Sequence, residues 1–173
     1  MASEAGAPRK KNADGEYVAE IDFWRSPFVA SFQAGDFDFI LLIAHIRWGD
    51  SEASRLPELT LLADWVQSRV TEKFGWDKDI IVMGDFNIPS LRSPLYKAIS
   101  SKGLELVKAL AKQDLGSNLE KNKRYDQILH YATFTSAFTE KGGVLDFFLD
   151  EEAIGKLYVK DPPAKAAFTF EMS

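Results

Sequence analysis

The sequence predicts a mixed α/β fold, and three observations carry that prediction. Phe37-Asp38-Phe39-Ile40-Leu41-Leu42-Ile43-Ala44-His45 alternates at its start and then turns continuously apolar, the pattern of a strand covered on both faces. Asp79-Ile80-Ile81-Val82-Met83-Gly84-Asp85 is a second apolar run, closed by Gly-Asp. Between them Leu59, Leu62, Ala63, Val66, Val70 and Phe74 recur at helical spacing, so one strong helix joins two buried strands.

The remaining elements follow in chain order. Residues 1–16 are rich in Ala, Gly and Lys with no apolar period and read as a flexible lead or expression remnant, with order beginning near Tyr17. Phe28 to Phe32 reads as a short strand, and the turn at Ala34-Gly35-Asp36 makes it a hairpin with Phe37 to His45. Ser54 is the expected N-cap of the long helix, with Pro57 and Glu58 in its first turn and Gly75 closing it. Ser93 to Ser100 reads as a short helix stopped by Gly103, and 112–124 as a polar, Lys-rich surface loop. Strands are expected at Tyr125 to Tyr131, at Val144 to Leu149 and, after the Asp161-Pro162-Pro163 break, at Ala166 to Met172.

Composition bounds the function. With 173 residues and 46% hydrophobic content the chain can bury a core, which excludes wholesale disorder. The absence of cysteine removes disulfides, cysteine zinc sites and thiol nucleophiles. The longest apolar run, Ile40 to Ala44, is too short to cross a bilayer, and the small, polar N-terminus is not a signal peptide. A net charge of -5 argues against general nucleic-acid binding by counterion release. It leaves open an enzyme whose metal ion supplies the local positive charge.

The most informative stretch is Gly84-Asp85-Phe86-Asn87, at the end of a buried strand. Strand alternation is expected to aim Asp85 and Asn87 the same way, setting a carboxylate beside a carboxamide, a pair suited to a hard divalent metal and a phosphate oxygen. Both residue types also favour simple turns. His45 ends the long apolar strand, where an imidazole can contact phosphate or move a proton, or be an ordinary half-buried histidine. Asp126 begins another strand and is either a solvated acid or a carboxylate that orients a histidine or helps hold a metal. His130, two rungs along the same face, reads as structural. Trp48-Gly49-Asp50 is a loop wall for a stacking substrate or packing over the helix. Arg9, Lys10 and Lys11, and Lys121, Lys123 and Arg124, read as solvated basic loops, the second placed to attract phosphate. There is no Gly-rich phosphate loop, G-x-S-x-G elbow or H-E-x-x-H.

In series, a strand ending in His45, an amphipathic helix, a strand ending in Gly84-Asp85-Phe86-Asn87, and Tyr125-Asp126-Gln127-Ile128 resemble the endonuclease/exonuclease/phosphatase superfamily, whose type member is pancreatic deoxyribonuclease. The likeness covers roughly Phe23 to Ser173. It implies a four-layer α-β-β-α sandwich and Mg2+- or Mn2+-dependent hydrolysis of phosphodiester or phosphomonoester bonds. Carried over by motif, Asp85 would act on the attacking water or the metal, and Asn87 on the scissile phosphate or the metal. His45 would contact phosphate and assist proton transfer, while Asp126 would pair with a second histidine or help hold the metal. The implied substrate is a nucleic acid or another phosphodiester. The alternatives are a lipid or inositol phosphate phosphatase of the same superfamily and a binding module without catalysis.

Two departures shape the remaining expectations. Family members carry a metal-binding Glu on an early strand, and nothing here precedes Tyr17 except the lead. Members also end in Ser-Asp-His, whereas this sequence stops at Glu171-Met172-Ser173. Residues 17–173 are therefore expected to form the C-terminal portion of such a domain, an incomplete sandwich. Its uncovered apolar faces and sheet edges would pair with a copy of itself or a complementary fragment, and alone it would have little or no hydrolase activity.

Overall fold

The structure, a computed structural model, describes residues 2–4, 9–19, 22–73, 77–112, 115–135 and 139–145. The chain divides into two compact units, Met1–Gly143 and Val144–Ser173, and all regular structure described lies in the first. That unit is a mixed six-stranded sheet with helices. Its strands are β1 (Ala2–Glu4), β4 (Phe28–Ala34), β5 (Phe37–His45), β6 (Ile80–Asp85), β7 (Leu104–Leu106) and β8 (Asp126–Tyr131), in spatial order β1-β4-β5-β6-β8-β7. A separate hairpin pairs β2 (Arg9–Lys11) with β3 (Tyr17–Ala19). The helices are α1 (Glu52–Thr71), α2 (Pro94–Ser100) and the short α3 (Lys108–Lys112).

The β4–β5 hairpin turns at Gly35, whose φ of 64° suits a residue without Cβ. From β5 the chain crosses through α1 and returns as β6, parallel to β5, while β8 runs antiparallel to β6 and to β7. Among these six strands β5–β6 is the one parallel pair, as its long helical crossover requires.

Helix α1 starts earlier than the sequence suggests. Ser51 is the N-cap and Ser54 its capping-box partner: Ser51 Oγ accepts from the Ser54 N–H and Ser54 Oγ from the Ser51 N–H. Pro57 consequently sits inside the helix rather than in its first turn. It removes the donor that Ala53 C=O would use, and both residues are exposed, so water takes that carbonyl. The closing residues Phe74 and Gly75 lie outside the described residues.

One face of the sheet holds the core. Leu42 and Ala44 of β5, Ile80 and Val82 of β6 and Leu129 of β8 are buried with Leu59, Leu62, Val66 and Val70 of α1 and Leu95 and Ile99 of α2. The helical period read from the sequence is thus the buried stripe. The other face follows by alternation: Phe28, Ile43, Met83 and Ile128 form one cross-strand row, and Ala30, Leu41, Ile81 and His130 the next. On it Phe32 and Ile43 are each 47% exposed and Ile128 45%. Phe32, Phe39 and Phe37 stack along the hairpin, with centroids 5.6 and 5.2 Å apart. Among the described residues the fold is therefore one helical layer on one sheet, with the sheet's second face largely apolar and exposed at Phe28, Phe32, Ile43 and Ile128, while His130 on that face is buried.

Three readings change. The lead is paired in part: Ala2–Glu4 adds an antiparallel edge to β4, and Arg9–Lys11 pairs with Tyr17–Ala19, because backbone pairing needs no apolar period in the added strand. Within the loop read at 112–124, Arg124 is no solvated cation; it is buried and its Nη2 donates to Leu110 C=O at 2.5 Å. Strand β7 and helix α3 were too short to show periodicity. The strand expected from Val144 falls mostly, and the one from Ala166 wholly, outside the described residues.

Buried Glu58 of α1 ties two loops to the helix. Its carboxylate accepts from the Trp24 N–H, ahead of β4, at 2.9 Å and from the Arg47 N–H, after β5, at 3.1 Å. Replacing it by Ala orphans two backbone donors, and the expected loss is about 2–4 kcal/mol in urea unfolding. Gly84 carries a second constraint. With φ 144° it faces Ala44 across the β5–β6 pair, and an added Cβ would fall on the Ala44 carbonyl oxygen. Gly84→Ala is expected to cost about 3 kcal/mol or more, read as a lowered urea midpoint.

Candidate active site

Three strands end at one level. His45 of β5 is the register partner of Asp85 of β6, and Asp85 that of Asp126 of β8. Directly opposed residues point to the same side of a sheet, so these side chains form a row on the face away from the helices, at its rim. Two further bonds extend the ladder past the row: Ile46 N–H donates to Asp85 C=O at 2.9 Å, and Phe86 N–H to Tyr125 C=O at 2.8 Å. The row is thus held by backbone, and its side chains are free to act.

Asp85 is the centre of this row. Its Oδ1 accepts from the Asn87 N–H at 2.9 Å, and its Oδ2 lies 3.8 Å from His45 Nε2, in ion-pair range but beyond a direct hydrogen bond. Burial pushes the Asp85 carboxyl above the usual carboxylate range, and the neighbouring Asp126 charge adds to the rise. The Asn87 N–H, His45 and the Arg25 guanidinium pull the other way. His45 is about half exposed and so can meet a substrate, while the Asp85 side chain keeps 15% exposure.

Asn87 sits beside the row by a different route from strand alternation. Strand β6 ends at Asp85, and Asn87 adopts φ 53°, the left-handed conformation that Asn tolerates better than most residues. That twist buries its side chain, whose Nδ2 donates to Ile46 C=O at 2.7 Å, while its own C=O accepts from Arg55 Nη1 at 2.6 Å. The turn read at this motif is therefore present, closed by the Asn87 N–H on Asp85 Oδ1. His130 stays out of the row: it lies farther along β8, buried opposite Ile81.

The donor set suits part of a hard-cation site. Two carboxylates side by side, one of them largely buried with its pKa raised, are the kind of charge a divalent ion would offset. Among the described residues no group of three or more His, Asp or Glu gathers closely enough to hold a metal ion by itself.

Beside the row opens a pocket of about 300 Å3 lined by Trp24, Arg25, Arg47, Trp48, Gly49 and Asp50. Sequence reading singled out Trp48-Gly49-Asp50 but missed Trp24, Arg25 and Glu58, the last because a buried acid on a helix face looks like any surface Glu. The walls are fastened to the site. Arg55 of α1 stacks on Trp48, with Cζ 4.8 Å from the ring centre, and also bonds Asn87. Trp48 meets Tyr125, the neighbour of Asp126, edge-on at 5.4 Å.

No protein-family model matches the chain. A "Deoxyribonuclease" of Thioalkalivibrio sp. (strain K90mix) is 37% identical over 79 residues, covering 42% of this chain and 21% of that protein. Beta toxin of Staphylococcus aureus, in a hairpin-deletion form, superposes with a TM-score of 0.50 at 15% identity, covering 69% of this chain and 48% of the toxin. Another form of that toxin was solved with bound magnesium ions. An endonuclease/exonuclease/phosphatase family protein from Leptotrichia buccalis gives a TM-score of 0.45 at 16% identity, covering 76% of this chain and 49% of that one. The chain thus spans about half the length of these solved structures and a fifth of the curated relative. Among the described residues no helix is long and apolar enough to cross a membrane. With a hairpin, a parallel crossover and an antiparallel return in one sheet, the chain has a mixed α/β fold of the deoxyribonuclease-like type, which it shares with the beta toxin.

Proposed function

We propose that the protein is a metal-dependent phosphodiester hydrolase acting on nucleic acid, with His45, Asp85, Asn87 and Asp126 in its active site. The observation that carries this reading is the single row of His45, Asp85 and Asp126 across three strands, with Asn87 locked beside it. The partial match to a deoxyribonuclease favours nucleic acid over a lipid or sugar phosphate.

Each residue has a role its surroundings support. Asn87 N–H holds Oδ1 of Asp85, which leaves Oδ2 toward His45 and the open side of the row. His45, half exposed, contacts the phosphate and takes or returns the proton of the attacking water or leaving oxygen. A magnesium or manganese ion held by Asp85 and Asn87, with Asp126 adjacent, would neutralise charge growing on the phosphate. Arg25, whose charge already reaches Asp85, steers the anionic substrate to the row. The open apolar face supports a further layer on this sheet, supplied by more of the same protein or by a partner chain. On that reading these 173 residues alone turn over slowly.

The test is magnesium-dependent cleavage of plasmid DNA and a chromogenic phosphodiester by the full reading frame that encodes these residues. Asp85→Ala and Asn87→Ala are each expected to lower kcat/KM by about a hundredfold or more. Unchanged rates in both would leave a binding module as the better description. A second prediction concerns stability without metal. Asp85 has a raised pKa in the folded state, so ionising it there costs stability at neutral pH, and that cost fades as pH falls through the raised value. Asp85→Asn in EDTA is therefore expected to raise Tm at neutral pH, with the gain vanishing on acidification, as followed by thermal scans across pH.

A further inference from the structure

We propose that the pocket formed by Trp24, Arg25, Arg47, Trp48, Gly49 and Asp50 takes an unpaired base of a single-stranded nucleic acid and stacks it beside the catalytic row. The inference rests on the hydrolase reading for the position of the phosphate, and it adds which part of the substrate is recognised next to it.

The aromatic walls are the first argument. Trp24 is 67% and Trp48 56% exposed, a poor use of two large apolar rings unless something covers them. Each ring is backed by a guanidinium: Arg47 Cζ lies 5.5 Å from the Trp24 ring centre, and Arg55 Cζ 4.8 Å from that of Trp48. Backing of this kind holds an indole in place while the rest of it stays open to a second planar partner. A base has a π face, whereas an acyl chain or a lone phosphate does not.

Polarity is the second argument. Two arginines line the pocket, and the buried Nε of Arg47 has no hydrogen-bond partner. That Nε is shielded from the pocket, but the Arg25 and Arg47 guanidinium groups carry further N–H donors for a base carbonyl or phosphate oxygen. Asp50 adds an acceptor for an exocyclic amino group or a ring N–H. A lipid tail would leave all three groups desolvated and unpaired. The volume of about 300 Å3 is on the scale of one base and its sugar, which suits an unpaired strand.

Connectivity is the third. Glu58 bonds the backbones of both Trp24 and Arg47, so the two sides of the pocket are set by one buried carboxylate. Arg55 joins Trp48 to Asn87 C=O, and Arg25 lines the pocket while acting on Asp85. A base seated here therefore has its flanking phosphate next to the row.

The test is fluorescence anisotropy in EDTA, where hydrolysis is silent, with two labelled probes of equal length: oligothymidylate, and an oligomer with the same phosphates but abasic throughout. The protein is expected to bind oligothymidylate about tenfold or more tightly than the abasic oligomer. Trp24→Ala and Trp48→Ala are each expected to lose about tenfold for oligothymidylate and nothing for the abasic probe. Trp→Phe at either position should retain most of the preference, with far-UV circular dichroism unchanged throughout. Equal binding of the two probes, or alanine variants that weaken both alike, would overturn the base pocket. Those outcomes leave metal-dependent cleavage standing, while loss of cleavage with the base preference intact would instead refute the hydrolase reading.

Discussion

The close contact between Gly84 and the Ala44 carbonyl fixes much else in this molecule. Parallel strands pair through slanted, evenly spaced bonds, and one step of register would turn every side chain of β6 to the other face. A residue without Cβ at this rung lets β6 lie against β5 with His45 and Asp85 opposed. The apolar runs above it then meet α1 as a continuous core, and the polar tips below it form the row. Core and site are two ends of one register.

Around that register, charge is placed where it is least comfortable. Asp85 is largely buried beside another acid, and the Arg47 and Arg55 Nε groups are buried without partners. Other buried polar groups have partners, as with Glu58 and its two backbone donors or Arg124 and Leu110 C=O, while Asp77 Oδ2 and Thr135 Oγ1 are buried without one.

Much of this was legible from residue order. The nine residues of β5, the buried stripe of α1, the short helix α2 and the strand after Tyr125 follow from residue period and from helix-ending residues such as Gly103. The start of α1 did not, because Ser51 and Ser54 are both good caps and only their reciprocal bonds choose between them. His45 and Asp85 stand out because each ends a strand and Asp126 because it begins one, but their alignment is a matter of pairing that no single strand reveals. Trp24 and Arg25 were invisible for a different reason. They precede β4 without any pattern, and they reach the pocket through Glu58, a contact spanning over thirty positions of chain.

The row also has a bearing on how the protein assembles. The β4–β5 hairpin, with its ladder of phenylalanine rings, closes over a two-residue turn and can zip within about 1–10 μs. His45 and Asp85 meet only after a loop of about forty residues is closed, and Asp85 and Asp126 only after another of about the same size. Collapsed intermediates that hold the hairpin but not both closures lack the row altogether. The row is therefore complete only when the last distant strand docks, which makes its alignment a stricter report of native structure than helix content or compactness.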